Sequence, residues 1–267
     1  TWVRRYWDNM RQQPRTSLKE RRRKQRTIKY SIIAAIIVVC AGLCAYLVRL
    51  PAITIAKVEV EGTVRTDAEA VRSAAEARLG GSYAWVVPKR MSLAAPLAAI
   101  QASILKDFPE VASASVTRDN LRTVRITVVE REQRARWCNS DCFALDQNGF
   151  IYAASAETGG RIYRGAVEGG PIGATFLPEQ YAAFAAFLEE VETATRKPIA
   201  EVAITADGDV LASFLGGGEL RYTLKQQGEE LLQSLSSVFL SGEFESEGTF
   251  EYADFRFDNK AVVKFSK

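Results

Sequence analysis

The stretch VASASVTRDNLRTVRITVVE, from Val111 to Glu130, decides the fold of the segment around it. Apolar and polar residues alternate on both sides of Asp119-Asn120, so each half has the two-residue period of a strand with one buried face. Asp and Asn are common in tight turns because their side chains bond to nearby backbone groups. The stretch therefore predicts an antiparallel hairpin with a two-residue turn and one face packed on a core.

The residues before this hairpin predict one strand and two helices. The alternating stretch ITIAKVEVE predicts a strand from Ile53 to Glu61 that stops at Gly62. Thr66 and Glu69 have the spacing of a capping box at the start of a first helix, and a second helix is predicted from Ser92 to Lys106. The order strand, helix, helix, strand, strand predicts a small sheet covered by two helices.

Further toward the N-terminus, residues 32–48 read IIAAIIVVCAGLCAYLV and contain no charged side chain. With Tyr30 and Ser31 the run forms roughly 28 Å of helix, close to the ~30 Å hydrocarbon core of a bilayer. The sequence therefore predicts a transmembrane helix over residues 30–50. A buried helix of a soluble protein and a cleaved signal peptide are the alternatives, and the 29-residue tail argues against the second.

The charge distribution predicts the orientation of this helix. Residues 1–29 contain eleven Lys or Arg and two acidic residues, whereas the chain from Leu50 onward contains 23 basic and 30 acidic residues. Because basic residues beside a span stay in the cytoplasm, the tail is predicted to be cytoplasmic and the rest extracytoplasmic. The run RRRK at 21–24 also fits a nucleic-acid arm, but its place beside a span favours attraction to anionic lipid, so no nucleic-acid partner is expected.

Two cysteines, Cys138 and Cys142, then lie in an oxidising compartment, which favours a disulfide, with two free thiols as the alternative. A zinc site is not expected, because the chain has no histidine and no other extracytoplasmic cysteine. The residues that follow, FALDQNGFIYA, predict two short strands around an Asp-Gln-Asn-Gly turn in which Gly149 adopts a positive φ.

The second half of the extracytoplasmic chain predicts a β-sheet with flanking helices. Amphipathic helices are predicted at Leu177–Lys197 and Gln226–Leu240, and strands between them turn at Asp207-Gly208 and at the three glycines from Gly216. Two closing strands are predicted around Phe250–Phe257 and Ala261–Phe265, the last one at the edge of its sheet. The fold class is α+β.

No stretch predicts catalysis. The commonest general base and metal ligand, histidine, is absent, and the serines lie in alternating strands or small-residue helices. The glycine-rich LGGGE at 215–219 lacks the lysine of a phosphate loop. We therefore expect no catalytic residues, no metal, no cofactor and no small-molecule substrate.

Several short motifs, in this order, resemble the FtsQ/DivIB family of bacterial division proteins. They are VEVEG from Val58, Phe108-Pro109, VVER ending at Arg131, and LDxxGFIY from Leu145. The final EYADFRFDNKAVVKF is similar to the family's last strands, although Phe255 stands where leucine is usual. The resemblance implies four regions: a basic tail (1–29), a transmembrane helix (30–50), a POTRA domain (53–131) and an FtsQ-type β domain (132–267).

The resemblance also implies a non-catalytic divisome scaffold in the inner membrane at the septum. It implies partners of the FtsB and FtsL type at the C-terminal edge and other divisome components at the POTRA domain. The partner-binding residues that it implies are Tyr252, Asp254, Arg256, Phe257, Asn259, Lys260, Val262 and Phe265. The alternative is structural: Tyr252 and Phe255 belong to the core, Asp254 and Arg256 form a structural pair, and Lys264 protects the sheet edge against aggregation. Other POTRA-bearing envelope assembly proteins and a membrane-anchored enzyme are the competing functions.

Overall fold

The computed structural model describes residues 18–47, 49–85, 87–155, 159–241, 244, 249–257 and 260–266. Among these, the residues up to Glu59 form one compact unit with residues 76–97 and 117–125. The remaining described residues form the second unit.

The first helix, α1, spans Leu18–Leu47. Its part from Arg22 to Leu47 has a mean hydropathy of 2.4 in its most apolar window, none of which is buried in the protein, and it is long enough to cross a membrane. The helix begins before the predicted Tyr30, because Leu18–Lys29 is rich in Lys, Arg, Gln and Glu, which are good helix formers. An N-terminal apolar helix of this kind is typical of a single-pass anchor.

The next elements follow the predicted order strand, helix, helix, strand, strand. They are β1 (Lys57–Glu61), α2 (Ala68–Leu79), a small hairpin of β2 (Ser82–Tyr83) and β3 (Val87–Pro88), α3 (Leu97–Asp107), β4 (Val111–Arg118) and β5 (Thr123–Glu130). The long strands form one sheet in the order β1-β5-β4. Val124, Ile126 and Val128 are buried in β5, as their alternation predicts.

The predicted first residues of one strand and one helix in this region are wrong. The strand predicted from Ile53 begins at Lys57, because Pro51–Ile53 form a 3₁₀ turn and Thr54 makes only an isolated bridge to Met91. The helix predicted from Ser92 begins at Leu97. Ala95 is extended, with ψ 131°, since the ring of a following proline disfavours helical backbone.

The turn and the cap also differ from their predictions. The hairpin turn has four residues rather than two, because the Asn120 side chain accepts the Arg122 N–H at 2.8 Å while the Asp119 N–H bonds to the carbonyl of Thr123. At the start of α2, Asp67 rather than Thr66 accepts the Glu69 N–H, at 2.9 Å.

Within the described part of the second half, the strands form a nine-stranded sheet. Its strands are β6 (Ala135–Cys138), β7 (Cys142–Leu145), β8 (Ile151–Ala154), β9 (Ile162–Arg164), β10 (Ile199–Ile204), β11 (Asp209–Phe214), β12 (Glu219–Thr223), β13 (Phe250–Phe257) and β14 (Lys260–Phe265). Their order is β14-β13-β12-β11-β10-β9-β6-β7-β8. Three neighbouring pairs are parallel: β12 with β13, β9 with β10, and β6 with β9.

Among the described residues, α4 (Tyr181–Thr195) and α5 (Glu229–Phe239) pack on this sheet. The apolar side chains along one face of α4 are buried: Tyr181, Phe184, Phe187, Leu188 and Val191. Those of α5 are buried or packed against the core: Leu231, Leu232, Leu235 and Val238. The apolar alternation of the strands and the apolar stripes of the helices thus form one core. The α+β class with an apolar N-terminal helix is confirmed.

Candidate partner-binding edge

The last strand, β14, lies at one end of the nine-stranded sheet. It pairs antiparallel with β13, with Lys264 opposite Tyr252 and Val262 opposite Asp254. Among the described residues, no other strand pairs with its outer side. Alternate N–H and C=O groups along Lys260–Phe265 therefore remain available to an incoming strand.

The opposite end of the sheet is covered. Ile151 of β8 donates its N–H to the carbonyl of Ala174 at 2.9 Å, and the Gly173 N–H donates to the carbonyl of Ile151 at 2.8 Å. Phe150 and Thr175 extend this contact as an isolated bridge. The loop before α4 thus occupies the edge of β8, and the described residues cover only this one of the two ends.

Two apolar side chains at the open end are exposed. Phe257, at the end of β13, is 54% exposed, and Val262 is 44% exposed. Lys260, opposite Phe257, is also exposed. All three residues belong to the hairpin that β13 and β14 form. Asn259, which the resemblance also implies, lies outside the described residues.

Asp254 and Arg256 form an ion pair inside the sheet. The Arg256 guanidinium contacts Asp254 at 2.7 Å and reaches Asp209 of β11 at 2.5 Å. The Asp254 side chain is buried, and its hydrogen bonds from Arg256 lower its pKa despite that burial. Arg256 thus connects an acid of its own strand, β13, with an acid of β11. This geometry favours a structural contribution of Asp254 and Arg256.

Phe265 and Tyr252 are also held by neighbouring side chains. The Phe265 ring lies 5.6 Å from that of Phe244, and Phe265 packs against the core. The Tyr252 ring lies 4.4 Å from the Arg221 guanidinium. Removing either ring therefore removes packing as well as any partner contact.

Two residues near this edge, Arg221 of β12 and Glu251 of β13, were not predicted. Glu251 pairs with Lys264 across β13 and β14, and this contact raises the pKa of Lys264. The antiparallel register of the predicted closing hairpin could have placed Glu251 near Lys264. No local signal pointed to Arg221, because β12 and β13 are parallel neighbours joined through α5.

A comparison with protein-family models matches the region that follows α1. Residues 53–131 match the family described as "POTRA domain, FtsQ-type". The chain carries an FtsQ-type POTRA domain. Together with the apolar helix before it, this match confirms the resemblance to FtsQ/DivIB proteins. No curated protein matches the chain.

The end of the POTRA domain explains the VVER motif. The Glu130 carboxylate accepts the backbone N–H groups of Val64, Arg65 and Thr66, with donor–acceptor distances of 2.7–3.0 Å. Burial opposes the charged form, but hydrogen bonds from these N–H groups outweigh it and lower the pKa of Glu130 to about 2. The motif's glutamate therefore holds the loop before α2.

The next residue, Arg131, makes several contacts of its own. Its guanidinium pairs with Asp146, donates to the carbonyl of Pro109 at 3.0 Å, and lies 4.1 Å from the Phe150 ring. Asp146 in turn accepts the Phe150 N–H at 3.0 Å, in the turn that Gly149 closes with φ 80°. The LDxxG and VVER motifs are thus one connected structural cluster.

Two further features concern chemistry. Cys138 and Cys142 are joined by a disulfide across the β6–β7 hairpin. Within the described ranges, no group of three or more cysteine or carboxylate residues is placed to hold a metal ion.

A cavity of about 530 Å³ lies beside α4, and Arg134, Arg161, Tyr163 and Tyr181 contribute to its lining. Arg161 is paired with Glu192 at 2.9 Å. Burial raises the pKa of Tyr181 far above neutral pH, so this hydroxyl stays protonated. A tyrosine in this state is a poor general base.

Proposed function

We propose that this chain is a non-catalytic scaffold of the bacterial division machinery. It binds membrane-anchored partners of the FtsB and FtsL type at the outer edge of β14 and links ring assembly to septal wall synthesis. The FtsQ-type POTRA domain supports a division-related role in protein interaction. The open edge of β14 is the observation that supports the binding site.

The anchor and its orientation belong to this proposal. Helix α1 is long and apolar enough to span a membrane, and the tail before it is strongly basic. The positive-inside tendency then places the tail in the cytoplasm and both extracytoplasmic regions on the side where the septal wall is made. The POTRA domain, near the membrane in sequence, is proposed as a second surface for other division proteins.

Binding at β14 works by strand addition. Backbone hydrogen bonds to the free edge supply affinity that is insensitive to sequence, and side-chain contacts supply specificity. Phe257 and Val262 offer apolar contacts, while Lys260 attracts an acidic residue of the partner. Because the strand is already ordered in the sheet, the scaffold itself pays little ordering entropy on binding.

The test uses the full chain in lipid nanodiscs and a peptide from the extracytoplasmic segment of an FtsB-type protein of the same genome. The variant is Phe257→Ala, and the matched control is Leu215→Ala, which removes an apolar side chain that is 70% exposed in the β11–β12 turn. We expect Phe257→Ala to weaken binding at least tenfold, about 1.4 kcal/mol, with thermal unfolding unchanged. The control should bind as the wild type does.

Two results would contradict the proposal. One is a wild-type protein that does not bind the peptide. The other is equal affinity for Phe257→Ala and Leu215→Ala. Phe265→Ala is a weaker probe, because its loss of packing on Phe244 also lowers stability.

A further inference from the structure

We propose that one face of the unit containing α1 rests on the bilayer surface. This juxtamembrane face consists of Trp85, Lys89, Arg90, Leu93, Leu121 and Arg122. It acts as an interfacial anchor that fixes how the start of the extracytoplasmic chain lies on the membrane. The inference needs α1 to span a membrane, as proposed above, but it does not depend on the partner that binds β14.

The connection from α1 to this face is short. Helix α1 ends at Leu47, and Thr54, seven residues later, already bridges to Met91. Seven residues span at most about 25 Å when fully extended. The real path is shorter, because Ile53 N–H and the Thr54 hydroxyl both donate to the carbonyl of Leu50.

Backbone hydrogen bonds join two loops to the segment that follows α1. The Ile55 N–H donates to the carbonyl of Arg90 at 2.9 Å, and the Lys57 N–H donates to the carbonyl of Arg122 at 3.0 Å. Both loops belong to the same compact unit as α1. The residues of these loops are therefore tied to the segment that leaves the bilayer.

The loop between β2 and β3 contains an exposed tryptophan. Trp85 is 92% exposed, although indole is among the most costly side chains to leave in water. Its φ is 68° and that of Ala84 is 44°, so two successive non-glycine residues adopt the left-handed region. Leu93 and Leu121 are exposed as well. Exposed indole and leucine side chains are typical of surfaces that enter the headgroup region.

The charge of this region differs from that of the rest of the extracytoplasmic chain. Residues 49–59, 76–97 and 117–125 contain eight basic and three acidic residues, whereas the chain from Leu50 onward is acidic as a whole. Glu59 and Asp119 are already paired with basic residues of the same segments. Lys89, Arg90 and Arg122 have no carboxylate partner among the residues that the structure describes. Their charge is available to lipid phosphates.

Position and composition together favour a bilayer over a protein partner. Exposed Trp85, Leu93 and Leu121 occur together with cations that have no carboxylate partner in the described part of the chain. This combination matches the headgroup boundary, where apolar and anionic groups meet within a few ångströms. Because the connection to α1 is short, these residues stay close to the headgroup region of the bilayer that α1 spans.

The test measures tryptophan quenching in the full chain, reconstituted in nanodiscs with lipids brominated near the headgroup. Trp2→Phe and Trp7→Phe remove the indoles of the tail, and the remaining Trp137 is buried in the core. We expect Trp85 to emit at short wavelength and to be quenched about twofold relative to non-brominated nanodiscs. Trp85→Phe should abolish this quenching without affecting folding, because the side chain packs on little.

Two controls make the result specific. Leu215→Trp in the Trp85→Phe background places an indole on another exposed turn and should not be quenched. In nanodiscs with anionic phosphatidylglycerol, Arg122→Glu should reduce the quenching of Trp85, whereas Lys225→Glu, a reversal at an exposed lysine elsewhere, should leave it unchanged.

Trp85 that emits as a water-exposed indole and is not quenched would overturn the proposal, and so would equal quenching of the tryptophan at position 215. Quenching that appears only after a partner protein is added would also overturn it, in favour of a protein contact. Peptide binding at β14, measured on the same nanodiscs, reports separately on the proposed function.

Discussion

Glu130 shows how a single carboxylate stabilises the POTRA domain. Three backbone N–H groups bond to it, so its pKa is lowered from 4.5 to about 2. A lowered pKa means that the unfolded chain binds the proton more tightly than the folded one. The stabilisation is therefore fully present above pH ~4.5 and is lost as the pH falls from there toward ~2.

We predict that Glu130→Gln lowers the free energy of unfolding at pH 7 by up to about 3 kcal/mol, from the size of the pKa shift. The difference from wild type should shrink as the pH falls below about 4.5, since the wild-type carboxylate then takes up its proton. Denaturant unfolding of the full chain at pH 7 and at lower pH measures both effects. Glu76→Gln, at an exposed position of α2, is the control. A difference from wild type that does not change with pH would contradict the account.

Exposure separates the implied binding residues in a way that sequence alone does not. Phe257 and Val262 are exposed, whereas Asp254 is buried and Phe265 packs on Phe244. All four residues lie in strands in which apolar and polar residues alternate. Which side of a strand meets the core was predictable, but how much of each side chain a neighbour covers depends on elements far along the chain.

At the scale of elements, local patterns predicted the helices and strands well and their ends less well. The alternation of β4 and β5 and the apolar stripe of α4 have direct physical causes in burial. The start of α3 after Pro96 was also within reach, because proline restricts the residue before it. The four-residue turn after Arg118 was not, since it depends on one hydrogen bond that the Arg122 N–H donates to the Asn120 side chain.

The disulfide is an element-scale feature with a measurable effect. It closes a five-residue loop across the β6–β7 hairpin, for which loop entropy gives about 2 kcal/mol. We predict that replacing Cys138 and Cys142 with serine lowers the free energy of unfolding by up to this amount. Peptide binding at β14 should not change, because β7 lies near the opposite end of the sheet.

Cys40→Ser with Cys44→Ser is the matched control, because both thiols are free and exposed on α1. Denaturant unfolding with and without reductant distinguishes the two pairs. Equal stability of the two double variants, or a wild type that reductant does not destabilise, would contradict the prediction.

At the scale of the whole molecule, the order of elements was predictable and the order of strands was not. The β-α-α-β-β succession predicted the region that matches an FtsQ-type POTRA domain. In the larger sheet, β9 lies between β6 and β10, and β12 pairs parallel with β13. Such pairs join residues far apart in sequence and leave no local pattern.

We propose that a partner binds by adding a strand to β14. Amide hydrogen exchange of the full chain in nanodiscs, with and without the FtsB-type peptide, tests it most directly. We expect bound peptide to slow exchange at alternate amides of Lys260–Phe265, since only the outward N–H groups gain acceptors. A peptide that binds but leaves exchange in β14 unchanged, and protects amides elsewhere, would contradict it.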